Sequence, residues 1–186
     1  MAVSFVRIVA GSAKGTRLAP VPAGTRPVSD RAREGLFSSL GARVDGARVL
    51  DVFAGTGAMG IEALSRGAAS ALFLDSAPGA LNVIRENLRR TKLGKHATVR
   101  RQDALKALRR PIGSFDLVLL DPPYRLPEAY LDAVLSEIAG QGAAAAGATV
   151  VLTRSEQSYT PVIPIDWLPE RRLSYGDSAV LVFRTP

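Results

Sequence analysis

The 186-residue sequence contains no cysteine and a single histidine, His96. Without cysteine there are no disulfides, thiolate metal sites, iron–sulfur clusters or thiolate nucleophiles. A single histidine also argues against a histidine-based metal cluster, so we expect no bound metal. The longest uncharged apolar run, residues 142–152, is well short of the ~20 residues that span a bilayer. We therefore expect a soluble, cytoplasmic protein with no membrane partner.

The positive charge of the chain is unevenly distributed. The net charge is +7, but residues 1–50 carry +5, residues 85–110 carry +8 and the remaining residues carry −6. Clustered Lys and Arg displace counterions from a phosphate backbone, so two basic zones favour a polyanionic partner. A solvated helix face would also account for the second zone.

Apolar strands alternate with amphipathic helices through most of the chain, and 47% hydrophobic residues are enough for one compact core. Strands are predicted over residues 48–53, 71–74, 97–101, 115–120 and 148–153. Helices are predicted after Ser29 or Asp30, over 58–65, from Pro78, after Asp103 and from Pro127. Such alternation implies right-handed crossovers, hence an α/β, doubly wound parallel sheet. Residues 168–174 and 179–183 predict a C-terminal hairpin, and the alanine-rich residues 143–146 a loop.

The N-terminal segment precedes these repeating units. Residues 6–10 and 16–19 predict two short strands around a glycine-containing turn, followed by a Pro/Gly-rich linker over residues 20–27. We divide the chain into a small N-terminal β-hairpin arm with its linker, residues 1–25, and one α/β domain, residues 26–186. Because the arm lies outside the repeating pattern, its deletion is expected to leave the core intact.

A glycine loop follows the first predicted strand. Residues Asp51–Gly60 read Asp-Val-Phe-Ala-Gly-Thr-Gly-Ala-Met-Gly and place Gly-x-Gly-x-x-Gly at the start of a helix. The glycines allow the backbone to approach a ligand closely, and the helix N-terminus offers amide donors. Twenty residues after Gly55, Asp75 ends the second strand, where a carboxylate can accept from ribose hydroxyls. Together these features predict a nucleoside-containing cofactor.

The fourth predicted strand ends in Asp121-Pro122-Pro123-Tyr124. The Asp121 carboxylate and the Pro122 carbonyl can accept the two hydrogens of a conjugated exocyclic amine. This favours a pyramidal nitrogen whose lone pair attacks a sulfonium methyl in line. Tyr124 can stack on the base, which is worth roughly 1–3 kcal/mol. An Asp-Pro turn is the structural alternative, but this context favours methyl transfer to an amino group.

Three segments resemble the bacterial small-subunit (16S) rRNA guanine-2-amino methyltransferases, which are class I S-adenosylmethionine-dependent enzymes. They are Arg26–Phe37 with its Arg-Pro-x-x-Asp-Arg-x-Arg-Glu block, Asp51–Gly67 and Asp121–Tyr124. The first is the specific one, and the resemblance extends from Arg7 to Phe183. It implies a Rossmann-like sheet of seven strands with the last antiparallel, and S-adenosyl-L-methionine as cofactor. It also implies 16S rRNA, in an assembled or assembling small subunit, as substrate; we expect a monomer.

The resemblance also implies roles for individual residues. It assigns cofactor binding to Asp51, Phe53, Gly55, Gly57, Asp75, Asp103 and Ala104. Gly55 and Gly57 would face the methionine part of the cofactor, and Asp75 would bind its ribose. Asp51 would either bind the amino group of the cofactor or brace the glycine loop. Asp103 is similar to the residue that meets the adenine amine, but it equally suits a helix cap.

Catalysis is assigned in the same way to Asp121, Pro122 and Tyr124. Substrate binding is assigned to Arg7, Lys14, Arg17, Arg26, Asp30, Arg31 and Arg33. The charged block that begins at Arg26 could instead order the linker or form a structural ion-pair network. Phe53 packs either under the cofactor or in the core.

Other functions account for fewer of these features. A DNA adenine-amino methyltransferase would use the same Asp121–Tyr124 motif, but the chain leaves no separate sequence-reading domain. A nicotinamide-dependent oxidoreductase would use the glycine loop and leave that motif unexplained. A noncatalytic RNA-binding module would explain the charge alone. Pyrimidine carbon-5 methylation is disfavoured because it begins with addition of a cysteine thiolate.

Overall fold

A computed structural model describes residues 6–19 and 28–186. The helices are α1 (Asp30–Leu40), α2 (Ala58–Ser65), α3 (Pro78–Thr91), α4 (Ala104–Leu108) and α5 (Glu128–Gly140). The strands are β1 (Arg48–Val52), β2 (Ser70–Asp75), β3 (Ala97–Arg101), β4 (Phe115–Leu120), β5 (Ala144–Ser155), β6 (Leu168–Tyr175) and β7 (Ser178–Arg184). The predicted alternation of strands and helices is confirmed.

The seven strands form one sheet in the order β3-β2-β1-β4-β5-β7-β6. Strands β1 to β5 are parallel, whereas β7 runs antiparallel to both β5 and β6. The chain thus winds outward from β1 to β3, returns to β4 beside β1, and continues to the other edge. The predicted doubly wound α/β fold with an antiparallel last strand is confirmed.

Each face of the sheet carries its own hydrophobic core. Successive side chains of a strand point to opposite faces, so Val49 of β1 lies in one core and Leu50 in the other. The first core contains α1, α2 and α3, and the second contains α4 and α5. Because β1 and β4 are covered on both sides, their sequences are almost continuously apolar.

Local signals fix where several helices begin. Ser29 is the N-cap of α1, and its Oγ accepts a hydrogen bond from Ala32 N–H at 3.2 Å. Asp30, the other candidate for the cap, is the first helical residue. Pro78 begins α3, where its missing N–H has no consequence. In the described part of the chain, no helix is long and apolar enough to cross a membrane.

The alanine-rich segment after α5 differs from the sequence-based expectation. Residues 144–147 belong to the start of β5 and are not a free loop. The pairing of β4 with β5 shifts register between Phe115 and Leu117, which accommodates these extra residues. Gly147 takes a positive φ of 68° at the irregularity. Small side chains carry no periodic pattern, so the longer strand could not be recognised in the sequence.

Residues 6–19 fold back on themselves as a short hairpin. Its only antiparallel bridge within the described residues joins Arg7 to Arg17, and Ile8 N–H donates to the Thr16 carbonyl at 3.0 Å. The two predicted strands are thus reduced to a single bridge. The apolar side chains of this hairpin lie in the core formed by α1, α2 and α3; they are Val6, Ile8, Ala13 and Leu18.

Helix α2 fastens the turn of the hairpin. Ser65 Oγ donates to the Ala10 carbonyl at 2.6 Å and accepts from Ala13 N–H at 2.9 Å. Gly11 approaches so closely that a Cβ there would lie 1.7 Å from the Ser65 carbonyl oxygen. The division of the chain at residue 25 stays a prediction. These contacts nevertheless make the hairpin part of the packed molecule.

Candidate active site

The candidate site lies at the carboxyl ends of β1, β2 and β4. The chain reverses direction across the sheet between β1 and β4, and a crevice forms outside the strand ends at such a switch point. Asp51 lies in β1, Asp75 ends β2, and Asp121 follows β4. The fold therefore brings together the three carboxylates that the sequence placed in one site.

Asp51 is buried beneath the glycine loop. Its Oδ2 accepts a hydrogen bond from Gly60 N–H at 2.9 Å. Burial raises the pKa of Asp51 well above its ordinary value, the Gly60 hydrogen bond opposes this shift, and the charges of Asp121 and Asp75 add to it. Gly60 has no room for a side chain, because a Cβ there would lie 2.4 Å from the ring of Phe73. Two roles were predicted for Asp51, and the hydrogen bond to Gly60 N–H supports the one in which Asp51 braces the glycine loop.

Asp75 holds the glycine loop against the end of β2. Its Oδ2 accepts from Gly55 N–H at 2.9 Å, and its Oδ1 accepts from Ala77 N–H at 2.9 Å. Gly55 and Gly57 have positive φ values of 57° and 76°, which glycine adopts without the steric penalty of other residues. The Asp75 carboxylate thus lies next to the glycine loop, where a residue that binds ribose is expected. Each of its oxygens already accepts a hydrogen bond from a backbone N–H.

Phe53, between β1 and the glycines, is one of two non-glycine residues with a positive φ in the described chain; its φ is 62°. A non-glycine residue in this region stores backbone strain, which is common at functional sites. The half-buried ring packs against the core on the α4 and α5 side. The structure therefore shows the core contact of Phe53; cofactor contact stays a prediction.

Asp103 caps α4. Its Oδ1 accepts from Lys106 N–H at 2.9 Å, and its Oδ2 accepts from the Tyr130 hydroxyl at 2.6 Å. Burial raises the pKa of Asp103, but these hydrogen bonds outweigh it, so the pKa is lowered overall. Ala104 is buried beside it as the first residue of α4. The capping role that the sequence left open is thus seen directly, and binding of an adenine amine stays a prediction.

Asp121, Pro122 and Tyr124 leave the sheet at the end of β4. Burial raises the pKa of Asp121 to about 7. Pro122 is buried, whereas Tyr124 is 52% exposed. An exposed tyrosine beside a partly desolvated carboxylate gives a platform for a flat group and an acceptor for its hydrogens. The catalytic roles of Asp121, Pro122 and Tyr124 stay predictions.

The residues assigned to substrate binding divide by exposure. Arg7, Lys14, Arg17 and Arg31 are exposed, and Arg26 lies outside the described residues. Arg7 pairs with Asp30, with Nε 3.2 Å from Oδ2. These four exposed side chains lie on the surface of the molecule, and their contact with the substrate stays a prediction.

Arg33 departs from its assignment. Its side chain is completely buried, and Nη2 donates to the Arg7 carbonyl at 2.6 Å and to Asp30 Oδ1 at 2.5 Å. Its Nη1 lies 3.6 Å from Glu62 Oε2. In this structure the guanidinium therefore faces the arm and not a substrate. Arg33 and the half-buried Asp30 therefore belong to a structural ion-pair network, which was the alternative to substrate binding.

Sequence reasoning missed two buried polar residues near the glycine loop. Asn87 of α3 donates from Nδ2 to the Thr56 carbonyl at 2.9 Å and accepts from Ala19 N–H at 2.6 Å, so it joins the arm to the loop. Glu62 accepts from Val9 N–H at 2.8 Å. One signal was present, since Asn87 falls within the apolar stripe of α3. Nothing distinguished Glu62 from an ordinary surface residue.

Comparisons with known proteins agree with this geometry. The family model described as conserved hypothetical protein 95 matches residues 6–184. The Escherichia coli protein named ribosomal RNA small subunit methyltransferase D is 32% identical over 181 residues, covering 96% of this chain and 89% of that protein. The Bacillus subtilis protein YlbH, provisionally named an rRNA methyltransferase, is 36% identical over 184 residues, covering 96% and 98%. The chain belongs to this family.

Solved structures show the same relationship in three dimensions. The Escherichia coli protein yhhF superimposes with a TM-score of 0.86 at 30% identity, over 98% of both chains. A hypothetical protein from Thermus thermophilus gives a TM-score of 0.80 at 34% identity, over 95% of this chain and 98% of that one. Both superpositions cover the two chains nearly end to end.

The cofactor of such a methyltransferase is S-adenosylmethionine, and the site fits it. The backbone around Gly55 is open: apart from its two chain neighbours, the Phe53 carbonyl, at 3.9 Å, is the only group of the described residues within 4 Å of a Cβ built there. The N-terminus of α2 and the Asp75 carboxylate border this space. An open backbone surface next to an acidic strand end suits the amino-acid and ribose parts of the cofactor.

Proposed function

We propose that the protein is an S-adenosylmethionine-dependent methyltransferase that methylates the 2-amino group of a guanine in 16S rRNA of the small ribosomal subunit. The observation that carries the proposal is the Asp121 carboxylate at the end of β4, with its pKa raised to about 7. Asp121 follows β4, the neighbour of β1 and its glycine loop in the sheet, and the exposed Tyr124 comes three residues later, which supports a reacting amine at this strand end. The names of the curated relatives support rRNA as the substrate.

Asp51, Gly55, Gly57 and Asp75 would hold the cofactor, which supplies an electrophilic methyl group on a sulfonium when bound. Asp75 orients the ribose end while it holds the Gly55 N–H. Asp51 fixes the start of α2 through Gly60 and so keeps the loop in shape. These residues position one reactant, and their effect is to turn a bimolecular encounter into an oriented one.

Asp121 and Pro122 act on the amine. The nitrogen of a 2-amino group is conjugated with its ring, and accepting its two hydrogens favours a pyramidal nitrogen with a localised lone pair. Transfer of a methyl group to this nitrogen would place positive charge on it, and its excess proton would have to leave. With a pKa of about 7, Asp121 is basic enough to stabilise that charge and to take the proton at neutral pH.

Tyr124 and the basic surface bind the substrate. The Tyr124 ring is exposed beside Asp121, so it can stack on an unstacked base. The exposed Arg7, Lys14, Arg17 and Arg31 would contact the phosphate backbone. We expect the protein to act as a monomer in the cytoplasm, on an assembled or assembling small subunit.

A DNA adenine-amino methyltransferase is the alternative, because the Asp121–Tyr124 motif suits any conjugated amine. Apart from the arm, the described residues form one sheet with its helices, which leaves no separate unit for reading a DNA sequence. The basic residues near the arm serve RNA and DNA backbones alike. Product analysis therefore decides between the two.

The deciding experiment offers the protein labelled S-adenosylmethionine with small ribosomal subunits that lack the modification, with free 16S rRNA and with DNA. The labelled fraction is digested to nucleosides and separated. We expect the label in guanosine, on its 2-amino group. Label in deoxyadenosine would instead establish the DNA adenine alternative.

A further inference from the structure

A cleft of about 440 Å³ opens beside the Asp121–Tyr124 motif on the side away from the glycine loop. Tyr124 and Leu126 form one wall, and Arg154, Gln157 and Tyr159 line the other. The glycine loop follows β1, whereas this cleft lies between the segments that follow β4 and β5. The cofactor and the cleft therefore flank Asp121 from opposite sides.

Arg154, near the end of β5, is the unusual residue of this cleft. It is only 7% exposed, and its Nε has no hydrogen-bond acceptor among the described residues. No carboxylate of the described residues forms an ion pair with it. Its guanidinium carbon instead lies 5.0 Å from the centre of the Tyr159 ring. An almost buried guanidinium that lacks an acceptor of its own is costly unless a ligand in the cleft supplies acceptors to its terminal nitrogens.

Tyr159 keeps the arginine in place. Its hydroxyl donates to the Glu128 carbonyl at 2.8 Å, so the ring is tied to the start of α5. Burial raises the pKa of Tyr159 to about 12, with the nearby Asp132 carboxylate adding to the shift, so the hydroxyl remains a donor. The face of this fixed ring orients the guanidinium plane through a cation–π contact.

We propose that Arg154 selects guanine, by donating hydrogen bonds from its two terminal nitrogens, Nη1 and Nη2, to O6 and N7 of the target base. This inference rests on the proposed function. The guanidinium fork matches the two acceptors of guanine, whereas adenine presents an amino donor in place of O6. O6 and N7 lie across the purine from the 2-amino group, so Arg154 and Asp121 hold opposite ends of one base. Tyr124 stacks on the face between them.

The test uses an RNA fragment that spans the nucleotide labelled by the wild-type protein. One version carries guanine at that position and a second carries 2,6-diaminopurine, which keeps the 2-amino group but replaces O6 with an amino donor. A third carries 7-deazaguanine, which lacks the N7 acceptor. Wild-type protein is expected to methylate guanine about 10-fold or more faster, at subsaturating RNA, than 2,6-diaminopurine. It is expected to discriminate less strongly against 7-deazaguanine.

Arg154→Gln is expected to bring the ratio of guanine to 2,6-diaminopurine rates close to one, with calorimetric binding of S-adenosylmethionine unchanged. Arg154→Lys keeps the charge without the fork and is expected to lose most of the ratio as well. The matched control is Arg184→Gln, at the opposite end of the neighbouring strand β7, where the side chain pairs with Glu170. It should keep the wild-type ratio.

Two outcomes overturn the assignment of Arg154. The first is that the wild-type protein methylates guanine and 2,6-diaminopurine at equal rates; this measurement does not depend on whether a variant folds. The other is an Arg154→Gln protein that slows on both bases while its ratio stays at the wild-type value. Either result leaves the proposed function standing, whereas label outside guanine in the wild-type reaction would overturn both.

Discussion

The Nη1 atom of Arg33 lies 3.6 Å from Oε2 of Glu62, and both side chains are completely buried. Burial lowers the pKa of Arg33, while the charges of Glu62 and Asp30 oppose that shift. The Glu62 carboxylate also accepts N–H groups from the arm, at Val9 and Ala10. A buried charge pair thus fastens the N-terminal segment to α1 and α2.

Glu62→Ala is expected to lower the free energy of unfolding by about 3–5 kcal/mol, because it leaves Arg33 buried without its ion-pair partner and two N–H groups without acceptors. Urea denaturation followed by circular dichroism measures the change. Glu86→Ala is the control, since Glu86 pairs with Arg89 and Arg90 at the surface and such pairs contribute little. Equal losses in the two variants would contradict a structural role for the buried pair.

A chain that begins at Thr25 tests the arm as a whole. The sequence pattern favoured a detachable segment, but the contacts of Val6, Ile8 and Leu18 with the core change that expectation. We now expect the truncated protein to melt at a lower temperature and to expose Glu62 and the α2 surface. Calorimetry and thermal melting, compared with the full chain, measure this. A truncated protein with an unchanged melting temperature would restore the detachable arm.

Much of the fold could be predicted because periodicity and strand-end signals agree. The predicted bounds of β3, β4 and α2 are those of the structure, since each is a short strand-like or helical run bounded by glycine, proline or polar residues. The bounds of β5 were not accessible, because an alanine run has no alternation to interpret. Its pairing with β4 and β7 depends on contacts far away in sequence.

The candidate site was predictable to the same degree. Asp51, Asp75 and Asp121 follow from their positions at strand ends, which a parallel sheet must bring to one edge. Burial was not predictable, because it depends on tertiary packing. The sequence analysis therefore assigned Arg33 to the substrate together with its charged neighbours, and it overlooked Arg154 near the end of β5.

Asp75→Ala is expected to weaken S-adenosylmethionine binding by about 10-fold or more. It removes a charge-assisted acceptor, worth roughly 1.5–3 kcal/mol, and frees the Gly55 N–H that the carboxylate holds. Isothermal calorimetry measures the affinity. Asp116→Ala is the control, because Asp116 pairs with Arg48 at the opposite end of the sheet. Unchanged affinity in a folded Asp75→Ala protein would remove Asp75 from the cofactor site.

Asp121→Asn and Asp121→Ala are expected to fold and to bind cofactor, but to lose methyl transfer by ~10²-fold or more. The asparagine variant is the sharper test, because its amide keeps an oxygen acceptor and loses the negative charge. Single-turnover methylation of the RNA substrate measures the rate. Near-normal turnover by Asp121→Asn would show that the charge of the carboxylate is not used.

The raised pKa of Asp121 predicts two pH dependences. In the folded protein Asp121 binds a proton up to pH of about 7, whereas the unfolded value is near 3.8. The folded state thus binds more protons between these values, so the free energy of unfolding falls as pH rises from about 4 to about 7. Denaturation of cofactor-free Asp121→Asn should show a shallower fall than wild type; the part that remains comes from Asp51, whose pKa is also raised.

Methyl transfer should follow the opposite trend, because the reaction uses the ionised form. The single-turnover rate of wild-type protein is expected to increase with pH through about 7 and then to level off. The residual rate of Asp121→Asn should not show this increase. A wild-type rate that is flat between pH 6 and pH 8 would place the functional pKa elsewhere.

Strand β3 forms one free edge of the sheet, since it pairs with β2 alone among the described strands. An unpaired edge is a template on which a second molecule can add a strand, and charged side chains are the usual protection against this. Arg100 and Arg101 are exposed on that edge, and Thr98 precedes them. The positive charges of Arg100 and Arg101, which would attract a phosphate backbone, therefore also oppose edge-to-edge pairing of β3 with a strand of a second copy of the protein. Neutralising both arginines is expected to promote aggregation, whatever it does to the reaction.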